Sequence, residues 1–197
     1  MTAVSAACVF CGSQPGARPA YLQAARELGA LLARRGWTVV YGGGHVGMMG
    51  ALADSALAAG GRVVGVIPEH LMRPEVAHQG LTELLVVDSM HTRKRIMAGR
   101  SDAFIVLPGG YGTFEEMFEM VTWRQLELHG KPVGLANVDG YFDHLLAFLR
   151  HAAEQQFIRP QHRGLLSVEA SVPALLDSLQ RQAGAAPRSG AGDLERS

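Results

Sequence analysis

Apolar and polar positions follow two different periods along this chain. Short runs that are apolar throughout are followed by longer stretches in which apolar residues recur every three to four positions. Runs of the first kind are typical of strands buried on both faces of a sheet, and stretches of the second kind are typical of helices that pack on it. The pattern predicts strands at residues 7–11, 38–41, 62–67, 84–87, 103–107 and 132–136. It predicts helices at residues 19–35, 47–59, 89–99, 113–128, 141–155 and 172–182.

Strands that alternate with helices predict an α/β domain, in which helices cover both faces of a parallel sheet. We therefore expect a single three-layer, Rossmann-like domain over residues 1–183, with a parallel sheet of about six or seven strands. Residues 184–197 are rich in Gly, Ala, Ser and Arg and offer little to bury. Because such segments cannot offset the entropy of ordering, we expect a disordered tail there.

Charge and hydropathy narrow the classes of function. The 197 residues carry a formal net charge of +0, so electrostatics gives no reason to expect nucleic acid or an anionic membrane surface as a partner. The sequence has no apolar run of about 18 residues, the length of a membrane-spanning helix. Its N-terminus lacks the basic segment and apolar core of an export signal, and we expect a cytoplasmic protein.

Cysteine, histidine and lysine often serve in catalysis or metal binding, but in this sequence they form no pattern that predicts such a site. Cys8 and Cys11 have the C-x-x-C spacing of redox or zinc sites, but on a strand they point to opposite faces. Their Cα atoms would lie roughly 10 Å apart, too far for a disulfide, and we expect buried, inert thiols. The eight histidines show no metal-ligand spacing. Neither Lys94 nor Lys131 has the surroundings of a lysine that binds pyridoxal phosphate.

Ligands of parallel sheets bind at the edge formed by the carboxyl ends of the strands. Four predicted loops with glycine or polar residues meet at that edge, at 11–13, 42–44, 90–94 and 108–116. Residues 42–47 also have the spacing G-x-G-x-x-G, with Glu69 about 20 residues further on, as in dinucleotide-binding folds. This motif follows the second strand rather than the first, and no separate substrate domain remains for a dehydrogenase. We therefore favour a glycine turn in a nucleotide-binding sheet.

The segment 108–116, PGGYGTFEE, carries the strongest signal. Its three glycines let the backbone turn tightly and approach a ligand closely. The helix predicted to follow directs free N–H groups into the loop, where phosphate is the usual ligand. Glu116 would lie three residues into that helix. The alternative is a plain capping box, in which Thr113 caps the helix and Glu116 bonds back to the cap residue.

A basic cluster, Arg93, Lys94 and Arg95, falls near the start of another predicted helix. Cations at that end oppose the helix dipole, so the cluster needs a counter-anion. We expect that anion to be Glu116, a ligand phosphate, or both. The alternative is a solvated surface cluster that interacts with Asp88 and Asp102.

These motifs resemble the LOG family, the cytokinin riboside 5′-monophosphate phosphoribohydrolases, many of which are mislabelled as lysine decarboxylases. The segment 108–116 matches the family motif PGGxGTxxE. The resemblance spans roughly residues 8–158, with further matches at 11–13, 41–44, 75–78, 89–94 and 122–126. In one small departure, Thr92 stands where glutamate is common in the family.

The resemblance implies hydrolysis of the N-glycosidic bond of an N6-modified adenosine monophosphate, which gives free base and ribose 5-phosphate. It implies at least a homodimer, with no metal, no pyridoxal phosphate and no other cofactor. Arg93 and Glu116 would be the catalytic pair. The implied substrate-binding residues are Gly12, Ser13, Gly43, Glu75, Met90, Lys94, Gly109, Gly110, Tyr111, Gly112, Thr113 and Thr122.

Cleavage of an N-glycosidic bond builds positive charge on the sugar, and a nearby carboxylate stabilises that charge. We expect phosphate against the amides of residues 110–113 and Glu116 directed toward the ribose, because two anions would repel. Arg93 is a poor acid, so it would hold Glu116 or the ribose hydroxyls in place. Two other functions stay open: a non-catalytic nucleotide-binding or carrier protein of the same fold, and a dinucleotide oxidoreductase.

The helix predicted at 113–128 is apolar on more than one side, with Met117, Phe118, Leu126 and Leu128 among its residues. Such a helix packs one face on the sheet and another on a partner, or it is buried on all sides in a monomer. We expect a homodimer.

Overall fold

Seven parallel strands form one sheet. The computed structural model describes residues 4–72 and 77–185. Its strands are β1 (Ala6–Phe10), β2 (Thr38–Tyr41), β3 (Val63–Pro68), β4 (Glu83–Val87), β5 (Ala103–Val106), β6 (Val133–Ala136) and β7 (Leu166–Glu169). They lie in the order β4-β3-β2-β1-β5-β6-β7, and every pairing is parallel.

Helices cover both faces of this sheet. They are α1 (Pro19–Arg34), α2 (Gly47–Ala58), α3 (Met90–Gly99), α4 (Tyr111–Gln125), α5 (Asp143–Glu154) and α6 (Val172–Ala185). Buried side chains of α1, α2 and α6 join one core cluster, and those of α3 and α4 join a second cluster on the opposite face. The expected three-layer α/β fold is therefore confirmed. Within the described ranges, no helix is long and apolar enough to cross a bilayer.

The start of α4 differs from the prediction. The helix begins at Tyr111, and Gly110 takes the capping position in an extended conformation. The alternative of a capping box is therefore wrong, because Thr113 is the third helical residue and Glu116 lies in the second turn. Gly110 and Gly112 lower the helix propensity of this segment, so the sequence pattern places the start of the helix two residues too late.

Two other elements were misjudged from the pattern. The edge strand β7 was missed, because its residues are only partly buried and two of the four are polar. The helix α5 begins at Asp143 instead of residue 141, because Phe142 takes the capping position with φ of −97° and ψ of 6°, outside the helical range. At the C-terminal end, α6 continues to Ala185, and the rest of the predicted tail lies outside the described residues.

The cysteine prediction is confirmed. Cys8 belongs to the core cluster on the α3 and α4 face, whereas Cys11 belongs to the cluster on the α1 face. Both are free and buried. Burial raises the pKa of both thiols, so neither is activated as a nucleophile.

The sheet order reverses between β1 and β5. From β1 the chain proceeds outward through β2 and β3 to β4, and it then returns to β5 and proceeds outward to β7. The connections that follow β1 and β5 thus lead to helices on opposite faces, α1 and α4, and sheets of this kind have their crevice at such a reversal, at the carboxyl edge. Ligands of such sheets bind in this crevice.

A close contact between α1 and α2 provides a test of this packing. A Cβ atom at Gly29 would lie 2.2 Å from the carbonyl oxygen of Leu52, too close for the backbone to accommodate without shifting. We expect Gly29→Ala to lower the free energy of unfolding by about 1–3 kcal/mol in chemical denaturation. Gly99→Ala is the control, because a Cβ atom there meets nothing within 4 Å. Equal stability of the two variants would contradict this packing.

Candidate active site

The loops after β1 and β5 touch at the crevice. The N–H of Gly12 donates to the carbonyl of Pro108 at 3.0 Å. A Cβ atom at Gly109 would lie 2.1 Å from Oγ1 of Thr113 and 2.8 Å from the nitrogen of Gly12. Only glycine fits between these two neighbours. Gly12 and the exposed Ser13 were predicted to bind substrate, as were residues 109–113. The fold brings these two segments together.

The amino end of α4 opens into this crevice. Gly110, Tyr111 and Gly112 are exposed, whereas the side chain of Thr113 is buried. The helical hydrogen bonding begins with the N–H of Phe114, which donates to the carbonyl of Gly110 at 3.0 Å. The N–H groups of the preceding turn have no acceptor within the helix, so they and the helix dipole favour an anion here.

Glu116 and Arg93 form a buried ion pair at the same edge. Nη1 of Arg93 lies 3.2 Å from Oε1 of Glu116, and the two side chains are 12% and 11% exposed. The predicted counter-anion of Arg93 is thus Glu116. The alternative of a solvated surface cluster does not apply to this arginine.

Two backbone features hold Arg93 in place. Its Nε donates to the carbonyl of Val66 in β3 at 3.0 Å. A Cβ atom at Gly42 would lie 2.1 Å from Nη2 of Arg93, so the guanidinium occupies space that only glycine leaves free. Gly42 follows β2 directly. The glycine loop after β2 therefore makes room for the arginine at this position.

Burial dominates the electrostatics of Glu116. It raises the pKa of this carboxyl from 4.5 to about 7, while the positive charge of Arg93 lowers it and the negative charge of Glu115 raises it. Desolvation disfavours the charged form more than the single arginine favours it. A carboxyl group that titrates near neutral pH in a crevice is typical of catalytic sites.

Lys94 pairs with two other acids of α4. Its Nζ donates to Glu115 and, at 3.0 Å, to Oε1 of Glu119. Its positive charge also lowers the pKa of Glu116. It lines a cleft between α3 and α4 with a volume of about 320 Å³, whose walls are His91, Thr92, Lys94, Arg95, Glu119, Trp123 and Leu128.

The remaining predicted site residues are spread more widely. Met90 begins α3, and its Sδ accepts from Nη1 of Arg93 at 3.9 Å. The carbonyl of Gly43 accepts from the N–H of His78 at 2.9 Å. Thr122 is exposed and lies six residues after Glu116, about 9 Å along the helix axis. Glu75 lies outside the described residues.

Two glycines of the G-x-G-x-x-G pattern are required by contacts within the protein. Gly42 makes room for Arg93, as described above. Gly47 begins α2 with a φ of 62°, and a Cβ atom there would lie 2.3 Å from the carbonyl oxygen of Ser13. These glycines allow the loops after β1 and β2 to approach each other. This finding supports the glycine-turn interpretation over the dinucleotide site.

Sequence reasoning missed the groups that support the site from other elements. The hydroxyl of Tyr141, after β6, donates to the carbonyl of Gly109 at 2.6 Å. Nε2 of His78 lies 2.9 Å from Oδ1 of Asp54 and ties residues after β3 to α2. Each contact joins residues far apart in the chain, so no local pattern in one sequence reveals it. In residues 4–72 and 77–185, no three His, Cys, Asp or Glu side chains are grouped to hold a metal ion.

Comparison with known proteins agrees with the family resemblance of the sequence motifs. The family model described as "Possible lysine decarboxylase" matches residues 49–179. A probable cytokinin riboside 5′-monophosphate phosphoribohydrolase of Oryza sativa subsp. japonica is 51% identical over 173 residues, which are 88% of this chain and 76% of that protein. A cytokinin riboside 5′-monophosphate phosphoribohydrolase of Arabidopsis thaliana is 47% identical over 173 residues, 88% of this chain and 81% of its own.

Solved structures share the fold at lower identity. A molybdenum cofactor binding protein from Rippkaea orientalis has a TM-score of 0.69 and 23% identity, with 90% of this chain and 96% of that chain covered. The Moco carrier protein of Chlamydomonas reinhardtii has a TM-score of 0.70 and 22% identity, with coverage of 92% and 99%. Since the family model spans more than half of the chain and the curated relatives are about half identical to it, this protein belongs to the LOG family, that of the cytokinin riboside 5′-monophosphate phosphoribohydrolases.

Proposed function

We propose that this protein hydrolyses the N-glycosidic bond of an N6-modified adenosine 5′-monophosphate. We propose that it also hydrolyses the same bond in AMP. The products are the free base and ribose 5-phosphate. The names of relatives about half identical over most of the chain support this activity. The observation that carries the proposal is the buried carboxyl group of Glu116 next to the amino end of α4.

The ion pair between Arg93 and Glu116 favours an enzyme over a nucleotide carrier. Burying two charged groups costs free energy that their attraction offsets only in part. A protein that only holds a phosphate gains nothing from an acid beside it, because the two anions repel. A reaction that builds positive charge on the ribose does gain from that acid.

The geometry suggests how the groups divide the work. The phosphate binds the amides at the amino end of α4, and Glu116 faces the ribose. Side chains on a helix tilt toward its N-terminus, so a carboxylate in the second turn is directed toward a ligand at that end. As the bond to the base breaks, the base keeps the bonding electrons and takes up a proton. The carboxylate stabilises the positive sugar and orients the water, which attacks the sugar and loses a proton. Arg93 holds that carboxylate in position, and its positive charge increases the fraction of Glu116 that is ionised.

A base-release assay tests both the activity and the role of Glu116. The wild-type protein is incubated with AMP and with isopentenyladenosine monophosphate, and the free base is measured by chromatography. We expect release by the wild type and a loss of about 10²–10³ in kcat for Glu116→Gln, which keeps the size of the side chain but removes its charge.

Glu115→Gln is the matched control. Glu115 is the preceding residue of α4, but its side chain is 52% exposed and pairs with Lys94. We expect this variant to keep most of the wild-type kcat. Near-normal turnover by Glu116→Gln would refute the catalytic role. Tight nucleotide binding by the wild type without release of base would instead favour the carrier protein, and tight binding of NAD would favour the oxidoreductase.

The pH dependence of kcat/KM reports which form of Glu116 is active. Because the carboxylate form stabilises the sugar cation, we expect kcat/KM to rise with pH through about 7, where burial places the pKa of Glu116. Arg93 lowers that pKa, so Arg93→Ala should move the rise to higher pH and reduce kcat, whereas Arg93→Lys should leave its position nearer to that of the wild type.

Two results would change this assignment. A kcat/KM that falls through pH 7 would mean that protonated Glu116 is the active form. A loss of affinity without loss of kcat in Arg93→Ala would make Arg93 a binding residue.

We also propose that the protein forms a homodimer through the exposed side of α4. Its small-molecule partner is the nucleotide. Large apolar side chains are exposed on and just after this helix: Phe118 is 37%, Leu126 60% and Leu128 37% exposed. Exposed apolar groups clustered in this way favour a protein contact. We propose no nucleic-acid or membrane partner, since the net charge is +0. The cytoplasmic location expected from the sequence stays a prediction.

Sedimentation at micromolar concentration tests the dimer. We expect a species of twice the 21.1 kDa chain mass, which Leu126→Glu converts to single chains by placing a charge in the contact. Phe148→Glu is the control, because Phe148 is similarly exposed (65%) but lies on α5. A wild type that sediments as single chains would refute the dimer, and dissociation by Phe148→Glu alone would place the contact on α5.

A further inference from the structure

The peptide bond that joins Gly109 to Gly110 lies at the entrance to α4. Its carbonyl oxygen, on Gly109, accepts a hydrogen bond from the hydroxyl of Tyr141 at 2.6 Å. Its N–H, on Gly110, belongs to the loop whose amides are proposed to bind the phosphate. In a trans peptide the C=O and N–H bonds point in opposite directions, so a group that fixes the carbonyl also fixes the N–H.

Glycine on both sides makes this peptide easy to rotate. Rotation changes ψ of the first residue and φ of the second, and glycine tolerates a wide range of both angles. At Gly110 a Cβ atom would meet nothing within 4 Å, so the surroundings of this residue leave room for such a movement. A rotated peptide would present its carbonyl oxygen where the N–H had been, and this oxygen would repel a phosphate.

Tyr141 itself is held firmly. Its ring makes edge contacts with Tyr21 at 5.4 Å and with Phe142 at 4.8 Å between ring centroids. Its N–H donates to the carbonyl of Val138 at 3.0 Å. The turn that carries it is tied to the start of α1 by an ion pair of 2.6 Å between Arg18 and Asp139. The hydroxyl thus reaches Gly109 from a ring that packs against two aromatic neighbours.

We propose that Tyr141 is a positioning residue, which holds the peptide between Gly109 and Gly110 in the orientation that offers its N–H to the phosphate. This inference rests on the proposed function for the identity of the ligand. Tyr141 acts on the loop after β5 from the loop after β6, the neighbouring strand. Its contribution is to the affinity for the phosphate group and not to the bond-breaking step, in which Glu116 acts.

Tyr141→Phe tests this role, because it removes the hydroxyl and keeps the ring. The loss of one hydrogen bond corresponds to about a three- to tenfold change in an equilibrium constant. We expect KM for AMP and the dissociation constant of ribose 5-phosphate, measured by calorimetry, to rise by that factor. We expect kcat to stay within about twofold, and the affinity for adenosine, which lacks the phosphate, to stay unchanged.

Tyr21→Phe is the matched control, since it removes a hydroxyl from the adjoining ring and leaves the Gly109 contact intact. It should behave like the wild type in every measurement. If the wild type releases base and Tyr141→Phe equals it in KM and in ribose 5-phosphate affinity, this inference fails while the proposed function stands. An equal loss of affinity for adenosine and ribose 5-phosphate would also overturn it, because the change would then be a general disturbance. If the wild type releases no base but binds ribose 5-phosphate more tightly than Tyr141→Phe does, the proposed function fails and this inference stands.

Discussion

The buried ion pair between Arg93 and Glu116 is the interaction on which the site depends. Burial raises the pKa of Glu116 from 4.5 to about 7, so between these pH values the folded protein keeps a proton that the unfolded chain has released. The fold therefore loses stability as the pH rises through this interval, by an amount on the order of 3 kcal/mol. Arg93 reduces this loss and does not abolish it. The acid is thus held in a place that is unfavourable for its charge, as expected of a group used in chemistry.

The rest of the crevice is arranged around this pair. The guanidinium of Arg93 needs a carbonyl from β3 and an empty space beside Gly42, at the end of β2. Glu116 needs α4 to begin early enough to carry it into the second turn, with Met117 and Met120 packed in the core to keep the helix in place. Parallel strands deliver these loops to one edge, and the reversal of strand order at β1 and β5 leaves the space in which they meet.

Much of the fold could be predicted from one sequence, because buried strands and amphipathic helices leave strong periodic patterns. The strand Thr38–Tyr41 has the predicted ends, and most other elements differ by one or two residues. The failures occur where the pattern is weak or ambiguous. The half-exposed β7 lacks an apolar run, and the start of α4 was predicted at Thr113, two residues too late, because the preceding residues are rich in glycine. For the site, Glu116 was one of the two counter-anions expected for the basic cluster and pairs with Arg93, whereas Lys94 pairs with Glu115 and Glu119.

The sequence by itself determined the order of the elements other than β7 and the glycine loop before α4, and its family motifs pointed to Glu116 and Arg93 as the candidate catalytic pair. Those features are local, since they depend on residue type and on spacing within about one element. The tertiary structure alone decided how deeply Glu116 is buried, which face of α3 each basic residue occupies, and that Tyr141 reaches Gly109. Such contacts join residues tens of positions apart. Their distances, and the pKa that burial produces, depend on how strands and helices pack and not on any segment taken alone.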